Sequence, residues 1–288
     1  MKYYTSASDA LRLNQSRSYR QVISDALNLC TTHVVAFFKG LWSLSFGIGL
    51  VIAMVLLLMR LSATQVQLLS TIVVGALILL LLAAVYIAVT ADLLRAQVDG
   101  LVSPSLKRHL KAYLKRSFSV YLLLVIQTVV LVGLGLLTFK YSDAHIYLWL
   151  AYALVVLMLS VPFSLSLAHS CLIHSSALKS LAWGFKRMNQ NFGSTLFVNF
   201  ATGVLGVIFV VLCCLPVLVL NIVFAASDLA VALGDTTDLP SAIYVLHFVL
   251  SMVLSAVSTI SLAVYSVAII LQHYSVVHRQ TESSRRLQ

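Results

Sequence analysis

The sequence carries almost no charge where it is most apolar. Six long stretches between Leu41 and Leu271 contain no Lys, Arg, Asp or Glu. Charged residues make up 10% of the 288-residue chain and hydrophobic residues 60%, with a mean hydropathy of +0.99. Soluble globular domains have roughly 25% charged and 45–50% apolar residues, so the composition excludes that class. Because a helix of about 20 apolar residues spans the hydrocarbon layer of a bilayer, the stretches predict an integral membrane protein.

Cysteine is scarce as well. The four cysteines are Cys30, Cys171, Cys213 and Cys214. The last two are neighbours on a predicted membrane helix and point about 100° apart, so they cannot hold one metal ion as a CxxC turn does. We interpret all four as small apolar side chains. Their arrangement supports no disulfide framework, and we expect neither a metal nor any other cofactor.

The uncharged stretches predict an all-α fold with six transmembrane helices in three hairpins. The predicted spans are Leu41–Met59, Leu68–Thr90, Phe118–Phe139, Ile146–Ala168, Ser194–Leu220 and Ala242–Leu271. They divide the chain into an N-terminal segment with an amphipathic helix (1–40), a six-span membrane domain (41–271) and a basic tail (272–288). The polar start is unlike a cleavable signal peptide, so we expect the first span to be retained as an anchor.

The cations predict how the spans are oriented. Of the 19 Lys and Arg residues, 17 lie before span 1, after span 6, between spans 2 and 3 or between spans 4 and 5. Only Arg60 and Lys140 lie on the other side. By the positive-inside rule, this places both termini in the cytoplasm. We therefore expect a multi-pass protein of the bacterial cytoplasmic (inner) membrane.

The net charge of +10 then belongs mainly to a basic cytoplasmic face. Its cations are spread over short segments that flank the membrane, and these segments contain no recognisable nucleic-acid-binding module. This distribution argues against nucleic acid as a partner. The partner we expect is the lipid bilayer, through its anionic phospholipid, with a membrane protein as a further candidate.

A cationic amphipathic helix is predicted before each odd-numbered span. Three such helices would lie in the interface of the inner leaflet. In the first, Val22, Ile23, Ala26, Leu27 and Cys30 lie opposite Arg20, Ser24, Asp25 and Asn28. In the third, Leu178, Leu181, Ala182, Phe185 and Phe192 lie opposite Lys179, Lys186, Arg187 and Gln190. In the second, the apolar residues are Leu106, Leu110, Tyr113 and Leu114, and the predicted lipid-binding residues are Lys107, Arg108, Lys111, Lys115 and Arg116.

This unit of an amphipathic helix and a transmembrane hairpin occurs three times. Spans 1, 3 and 5 begin near residues 41, 118 and 194, a spacing of 77 and 76 residues. A regular period of this kind indicates an internal structural repeat. All three hairpins enter the membrane from the same side, so the predicted repeat is parallel.

The segment that leads into span 5 resembles a known family. It contains Ala177-Leu178-Lys179, then Trp183-Gly184-Phe185 and Asn191-Phe192-Gly193. These residues resemble the corresponding helices of poorly characterised bacterial six-span membrane proteins, including the membrane domain attached to some glycerophosphodiester phosphodiesterases. In those phosphodiesterases a separate soluble domain performs the hydrolysis. Because this sequence stops soon after span 6, the resemblance implies a membrane module without that activity.

The run His169, Cys171 and His174 is a candidate metal site. It has the pattern H-x-C-x-x-H at the end of span 4. On a helix, however, the two imidazoles lie about 140° apart and would not converge on one ion. We therefore interpret the three residues as interfacial polar residues that end the span.

Gln127, Asn199 and His247 are the most conspicuous polar side chains at membrane depth. They predict either a path for a solute or proton, or hydrogen bonds between helices. The spans contain no Asp, Glu or Lys to act with them, and the same absence leaves a nucleophilic serine without a base. We favour the hydrogen bonds and expect no enzymatic activity.

Small residues on two spans predict close contacts between helices. They are Ser251, Ser255 and Ser258 on span 6 and Gly203 and Gly206 on span 5. The sequence as a whole favours a non-enzymatic membrane module that organises or senses the inner leaflet or scaffolds a partner. The alternative is a transporter for a small neutral or lipid-like solute, with the three polar residues at membrane depth along its path.

Overall fold

The computed structural model describes residues 16–32, 34–62, 64–98, 106–141, 146–234 and 239–286. All regular secondary structure in this part of the chain is α-helical. The helices are α1 (Tyr19–Thr32), α2 (Val34–Leu61), α3 (Gln65–Val98), α4 (Leu106–Tyr141), α5 (Ile146–Ile173), α6 (Ala177–Ala232) and α7 (Ser241–Arg286). The predicted all-α fold is confirmed.

Six of these helices contain a segment that is long and apolar enough to cross a membrane. The segments are Lys39–Leu61, Gln65–Arg95, Ser117–Tyr141, Ile146–Ile173, Asn191–Ala232 and Ser241–Arg279. Each contains one of the predicted spans, so all six are confirmed. The last two extend well beyond the predicted ends because the helix continues through polar residues, Asn221 in α6 and Gln272 in α7, whose side chains hydrogen bond to neighbouring helices.

The chain forms two compact units. Unit 1 comprises Met1–Gly40, Ala84–Gly203 and Ala263–Gln288, and unit 2 comprises Leu41–Ala83 and Val204–Leu262. Unit 1 therefore contains all of α1, α4 and α5, and each unit contains a part of α2, α3, α6 and α7.

One apolar cluster of unit 1 lies among α5, α6 and α7. Its buried residues are Val161, Leu165 and Val276, and the residues that pack against them are Trp183, Met188, Phe192 and Leu196. Four of the seven come from the first half of α6. This cluster holds the early turns of α6 against α5 and α7.

The helix α1 packs on unit 1 through one face. Its buried residues are Val22, Ala26, Leu29 and Cys30. A capping box closes its first turn, since the Ser18 N–H donates to Gln21 Oε1 at 2.9 Å and the Gln21 N–H donates to Ser18 Oγ at 3.3 Å. Burial raises the pKa of the Cys30 thiol to about 11, so this cysteine stays a neutral thiol and packs as a small apolar residue.

Arg17, just before α1, connects this helix to α7. Its side chain is 1% exposed, and its Nε donates to Asp25 at 3.0 Å. Its backbone N–H donates to Ser275 Oγ at 2.9 Å, and the Ser275 hydroxyl donates to the Arg17 carbonyl at 3.2 Å. Because a buried charge is tolerated only when it is paired, these bonds fix the path of the chain into α1.

The three predicted amphipathic segments meet their spans in different ways. The first lies in α1, which the structure describes up to Thr32. The second is continuous with span 3, because α4 runs from Leu106 to Tyr141 as one helix. The third is the start of α6, which bends at Asn191 (φ −132°, ψ 20°), where the membrane-spanning segment begins.

In unit 2, α2 and α7 approach each other closely. A Cβ on Gly49 would overlap the backbone carbonyl oxygen of Met252, so glycine is needed there. One turn earlier on α2, the hydroxyls of Ser45 and Thr259 are hydrogen-bonded at 2.7 Å. Close backbone contact between helices at small residues is typical of membrane proteins.

The predicted contacts of small residues are present in part. Ser251 and Ser258 are buried and Ser255 is half-buried on α7. A Cβ on Gly206 would touch the Ser261 side chain at 3.6 Å, within unit 2. The expectation for Gly203 is wrong, because no atom of another described helix lies within 4 Å of the position that its Cβ would take.

Arg60 lies in the last turn of α2, in unit 2, and has aromatic and acidic partners. Its guanidinium lies 3.8 Å from the centroid of the Phe224 ring and donates to Asp228 at 3.2 Å. Cation–π and exposed ion-pair contacts each contribute up to about 1 kcal/mol. Arg60 is one of the two cations that the sequence predicts on the side opposite the other 17, and these contacts pair its charge.

Candidate functional site

A short turn joins α5 to α6 in unit 1. His174 follows the last residue of α5 and adopts a left-handed backbone (φ 56°), as commonly occurs after a helix C-terminus. Ser119 of α4 donates to the Ser175 carbonyl at 2.9 Å, and the hydroxyls of Ser175 and Ser180 are 2.5 Å apart. These bonds fix the turn, from which α6 returns along α5.

Trp183, Gly184 and Phe185, which carry part of the family resemblance, line the contact between α6 and α5. A Cβ on Gly184 would overlap the carbonyl oxygen of Pro162, so the two backbones touch there. The Phe185 ring lies edge-on to Phe163, with centroids 6.4 Å apart. In this structure the residues of the short motif form a close contact between the two helices.

Trp183 covers a buried pair of histidines, His169 from α5 and His273 from α7. Its ring stacks on His169 with centroids 4.3 Å and planes 10° apart, and it lies 4.8 Å from the His273 centroid. His169 Nδ1 and His273 Nε2 are 3.3 Å apart, and the two residues are 9% and 3% exposed. Because one proton fits between two nitrogens, one imidazole donates and the other accepts.

The surroundings of this histidine pair carry positive charge. Arg95 of α3 donates to the Leu172 carbonyl at 2.5 Å, and its charge acts on His273. Within the described residues, His273 Nδ1 has no hydrogen-bond partner, and neither imidazole is bonded to a carboxylate. The pair is therefore a buried polar group without an acidic counterion.

A strip on the surface of the same part of α6 is exposed, and Phe185 lies at the edge of this strip toward α5. We call residues 177–190 the α6 amphipathic segment. Leu178 is 72% exposed and Phe185 43% exposed, and Lys179 and Lys186 are exposed beside them. At 3.6 residues per turn, positions 178, 182 and 185 cover an arc of about 60°, and the two lysines border it. An apolar strip bordered by lysines is typical of a helix that lies in a membrane interface.

The bend at Asn191 ends the α6 amphipathic segment. Asn191 is buried, and its Oδ1 accepts a hydrogen bond from Arg279 Nη1 at 3.4 Å. After the bend, the Gln272 amide donates to Ser194 and Thr195 at 3.1 and 3.0 Å. Side chains of α7 thus hold α6 on both sides of the bend.

The five predicted lipid-binding cations lie in the first turns of α4. They are Lys107, Arg108, Lys111, Lys115 and Arg116. Their side chains lie outside the described residues, so their contact with lipid stays a prediction.

The three polar residues predicted along a solute path have different surroundings. Asn199, in unit 1, is buried and donates to the Ser164 hydroxyl of α5 at 2.9 Å. His247, in unit 2, is buried and hydrogen-bonded to Asn221 of α6 at 3.1 Å. Gln127 is half-buried on α4. Hydrogen bonds between helices account for two of the three side chains, and the solute path stays a prediction.

The run His169, Cys171 and His174 does not form one cluster. His169 meets His273, Cys171 is buried, and His174 forms the turn after α5. The helix α5 buries the first two against its neighbours and continues to Ile173, and their position at the membrane interface stays a prediction. Among the described residues, no three His, Cys, Asp or Glu side chains are grouped as metal ligands.

Sequence reasoning missed His273 and Trp183 as partners of His169. His273 lies 104 residues from His169 and beyond the predicted end of span 6. One signal was available: the polar pair Gln272-His273 interrupts an apolar pattern that resumes at Val276 and Val277, as expected for a helix that continues with a buried polar site.

No protein family, curated protein or solved structure matches this chain. Its class therefore follows from its fold: it is an all-α multi-pass membrane protein with six candidate membrane-spanning helices. Within that class, its candidate functional site is the α6 amphipathic segment, with an exposed apolar and cationic strip on one side and the buried histidine pair on the other.

Proposed function

We propose that this protein is a non-enzymatic membrane module that organises or senses the inner leaflet, or scaffolds a partner there. The observation that supports the proposal is the exposed strip of the α6 amphipathic segment, with Leu178 and Phe185 beside Lys179 and Lys186. In this proposal the strip lies in the inner leaflet of a bacterial cytoplasmic membrane, with both chain termini in the cytoplasm.

Two forces would act on the strip in such a leaflet. Apolar surface that leaves water gains about 25 cal/mol per Å². Each lysine near anionic lipid adds about 1 kcal/mol, an attraction that falls off within a Debye length of about 8 Å at physiological salt. Because the apolar strip and the lysines share one face, both forces favour the same position of the segment in the interface.

Reversing the two lysines tests this proposal. A nitroxide label on Ala182→Cys reports the depth of the segment by its accessibility to oxygen and to a nickel chelate. The protein is reconstituted in phosphatidylcholine vesicles with and without a third of phosphatidylglycerol. We expect the label to lie deeper in the phosphatidylglycerol vesicles. Lys179→Glu with Lys186→Glu should lower the partition of the segment into these vesicles, relative to phosphatidylcholine vesicles, by about tenfold or more.

Lys140→Glu is the matched control, because it reverses a cation on α4 that lies outside the strip. This control should leave the depth of the label unchanged. Equal label depth in the wild type and the double lysine variant, in vesicles of both compositions, would overturn the proposal.

A further inference from the structure

We propose that His169 and His273 form a proton-binding site that controls how the α6 amphipathic segment is held. The two rings come from α5 and α7, and Trp183 of the segment lies over both of them. The proton site follows from the geometry of the pair alone. Its effect at the membrane rests on the proposed function of the segment.

The pair has room for one added proton without losing its hydrogen bond. When His169 Nδ1 carries the shared hydrogen, its Nε2 holds a free lone pair. A proton from water can bind this lone pair, and no bond between heavy atoms forms or breaks. The product is an imidazolium that donates to the neutral His273 at the same 3.3 Å contact. His169 is the more exposed member of the pair, so the added proton enters there.

The charged and titratable groups around the pair do not balance the added charge. The helix α3 contributes Arg95, whose charge acts on His273, and Asp92, which acts on Cys171 of α5. On α6, the half-buried Arg187 lies one turn after Trp183. On α7, the Tyr274 ring lies edge-on to His273. Among these described residues, the cations Arg95 and Arg187 outnumber the carboxylate of Asp92.

The added charge weakens the contact between Trp183 and the pair. A stacked indole attracts an imidazolium, but this attraction is smaller than the cost of burying a charge beside Arg95 without a counterion. Admission of water relieves that cost. Because Trp183 covers both rings, water reaches them when Trp183 and the α6 amphipathic segment move away. Acidification should therefore loosen the segment, and neutral pH should restore it.

The fluorescence of Trp183 tests the proton site in detergent, without any lipid. Trp42→Phe with Trp149→Phe leaves Trp183 as the single tryptophan. As the pH is lowered from about 7.5 to about 4, a range that extends to the acidic side of ordinary histidine titration, we expect its emission to shift to longer wavelength in one reversible step. His169→Gln and His273→Gln should abolish the step. His174→Asn, which removes a nearby histidine and suits the left-handed backbone, should preserve it.

A second measurement does not depend on the stability of the variants. Deuterium exchange at the C2 position of each histidine, read by mass spectrometry, follows protonation in the unaltered protein. We expect His169 to titrate in the same pH range as the Trp183 step. An emission that does not change with pH, a step that persists in both glutamine variants, or absence of titration at both histidines would overturn the proton site.

The nitroxide on Ala182→Cys then tests the link to the membrane. In phosphatidylglycerol vesicles, we expect its depth to change with the same pH midpoint as the Trp183 emission. A Trp183 step with a label depth that does not change with pH would retain the proton site and refute its control of the segment. If the two lysine substitutions have no effect at neutral pH, the proposed function fails while the proton site is still decided by Trp183.

Discussion

Gly184→Ala is expected to destabilise unit 1 by about 3 kcal/mol, the upper range for overpacking in a well-packed site. The added Cβ would overlap the Pro162 carbonyl oxygen and the Ser166 hydroxyl. The hydroxyl can rotate away, but the carbonyl belongs to the backbone of α5, so one of the helices has to shift. Thermal unfolding of the purified protein in detergent, followed by circular dichroism, measures the loss, and the Trp183 emission should change because the same contact positions its ring.

Gly203→Ala is the matched control on the same helix. No atom of another described helix lies within 4 Å of the position its Cβ would take, so alanine meets no steric obstacle there. Because alanine favours a helix over glycine by up to about 1 kcal/mol, this variant should be as stable as the wild type or more stable. If both variants unfold at the wild-type temperature, the close contact of α6 with α5 at residue 184 is refuted.

Charge reversal of the five α4 cations is expected to weaken strongly the preference of the protein for anionic lipid. The substituted residues are Lys107, Arg108, Lys111, Lys115 and Arg116. At about 1 kcal/mol for each cation near an anionic surface, their combined attraction is large enough that reversal should reduce lipid selectivity by about a hundredfold or more. The ratio of phosphatidylglycerol to phosphatidylcholine retained by the protein, measured by mass spectrometry after transfer from mixed vesicles, gives this selectivity.

A charge-conserving variant separates charge from side-chain identity. It exchanges each lysine for arginine and each arginine for lysine at the same five positions, so the electrostatic attraction remains. It should retain the preference for phosphatidylglycerol, and the preference of the wild type should shrink in about 1 M salt, where the Debye length is about 3 Å. Undiminished selectivity after charge reversal would refute a role for these residues in lipid binding.

The six spans could be predicted because residence in lipid requires only enough apolar length. The length of an uncharged stretch can be read from the sequence alone, without knowledge of the helices that pack beside it. The ends of the spans were less predictable. Asn221 and Gln272 seemed to end spans 5 and 6, yet hydrogen bonds to His247 and Thr195 allow the helices to continue. A polar residue ends a span only when no neighbouring helix offers its side chain a hydrogen-bond partner.

The candidate site was much less predictable, because sequence periodicity gives the direction of a side chain on its own helix and not the helix it meets. His169 was assessed with His174, five positions away, whereas its partner is His273 on α7. Glycines pose the same difficulty. Gly203 was expected to lie at a helix contact and faces open space, whereas Gly184 is covered by the α5 backbone. Single-helix patterns do not distinguish these positions.

The unbroken course of α4 couples the rotation of its two halves. Because Lys107 and the span that starts at Ser117 belong to one helix, the register between the cationic positions and the membrane-spanning positions is fixed by helix geometry. One residue inserted between them would turn the cations by about 100° and move them about 1.5 Å along the axis, with every charge retained. In α6, the bend at Asn191 interrupts this coupling. The number of residues between the cations and the span therefore determines their relative orientation in α4. In α6, the bend allows that number to vary.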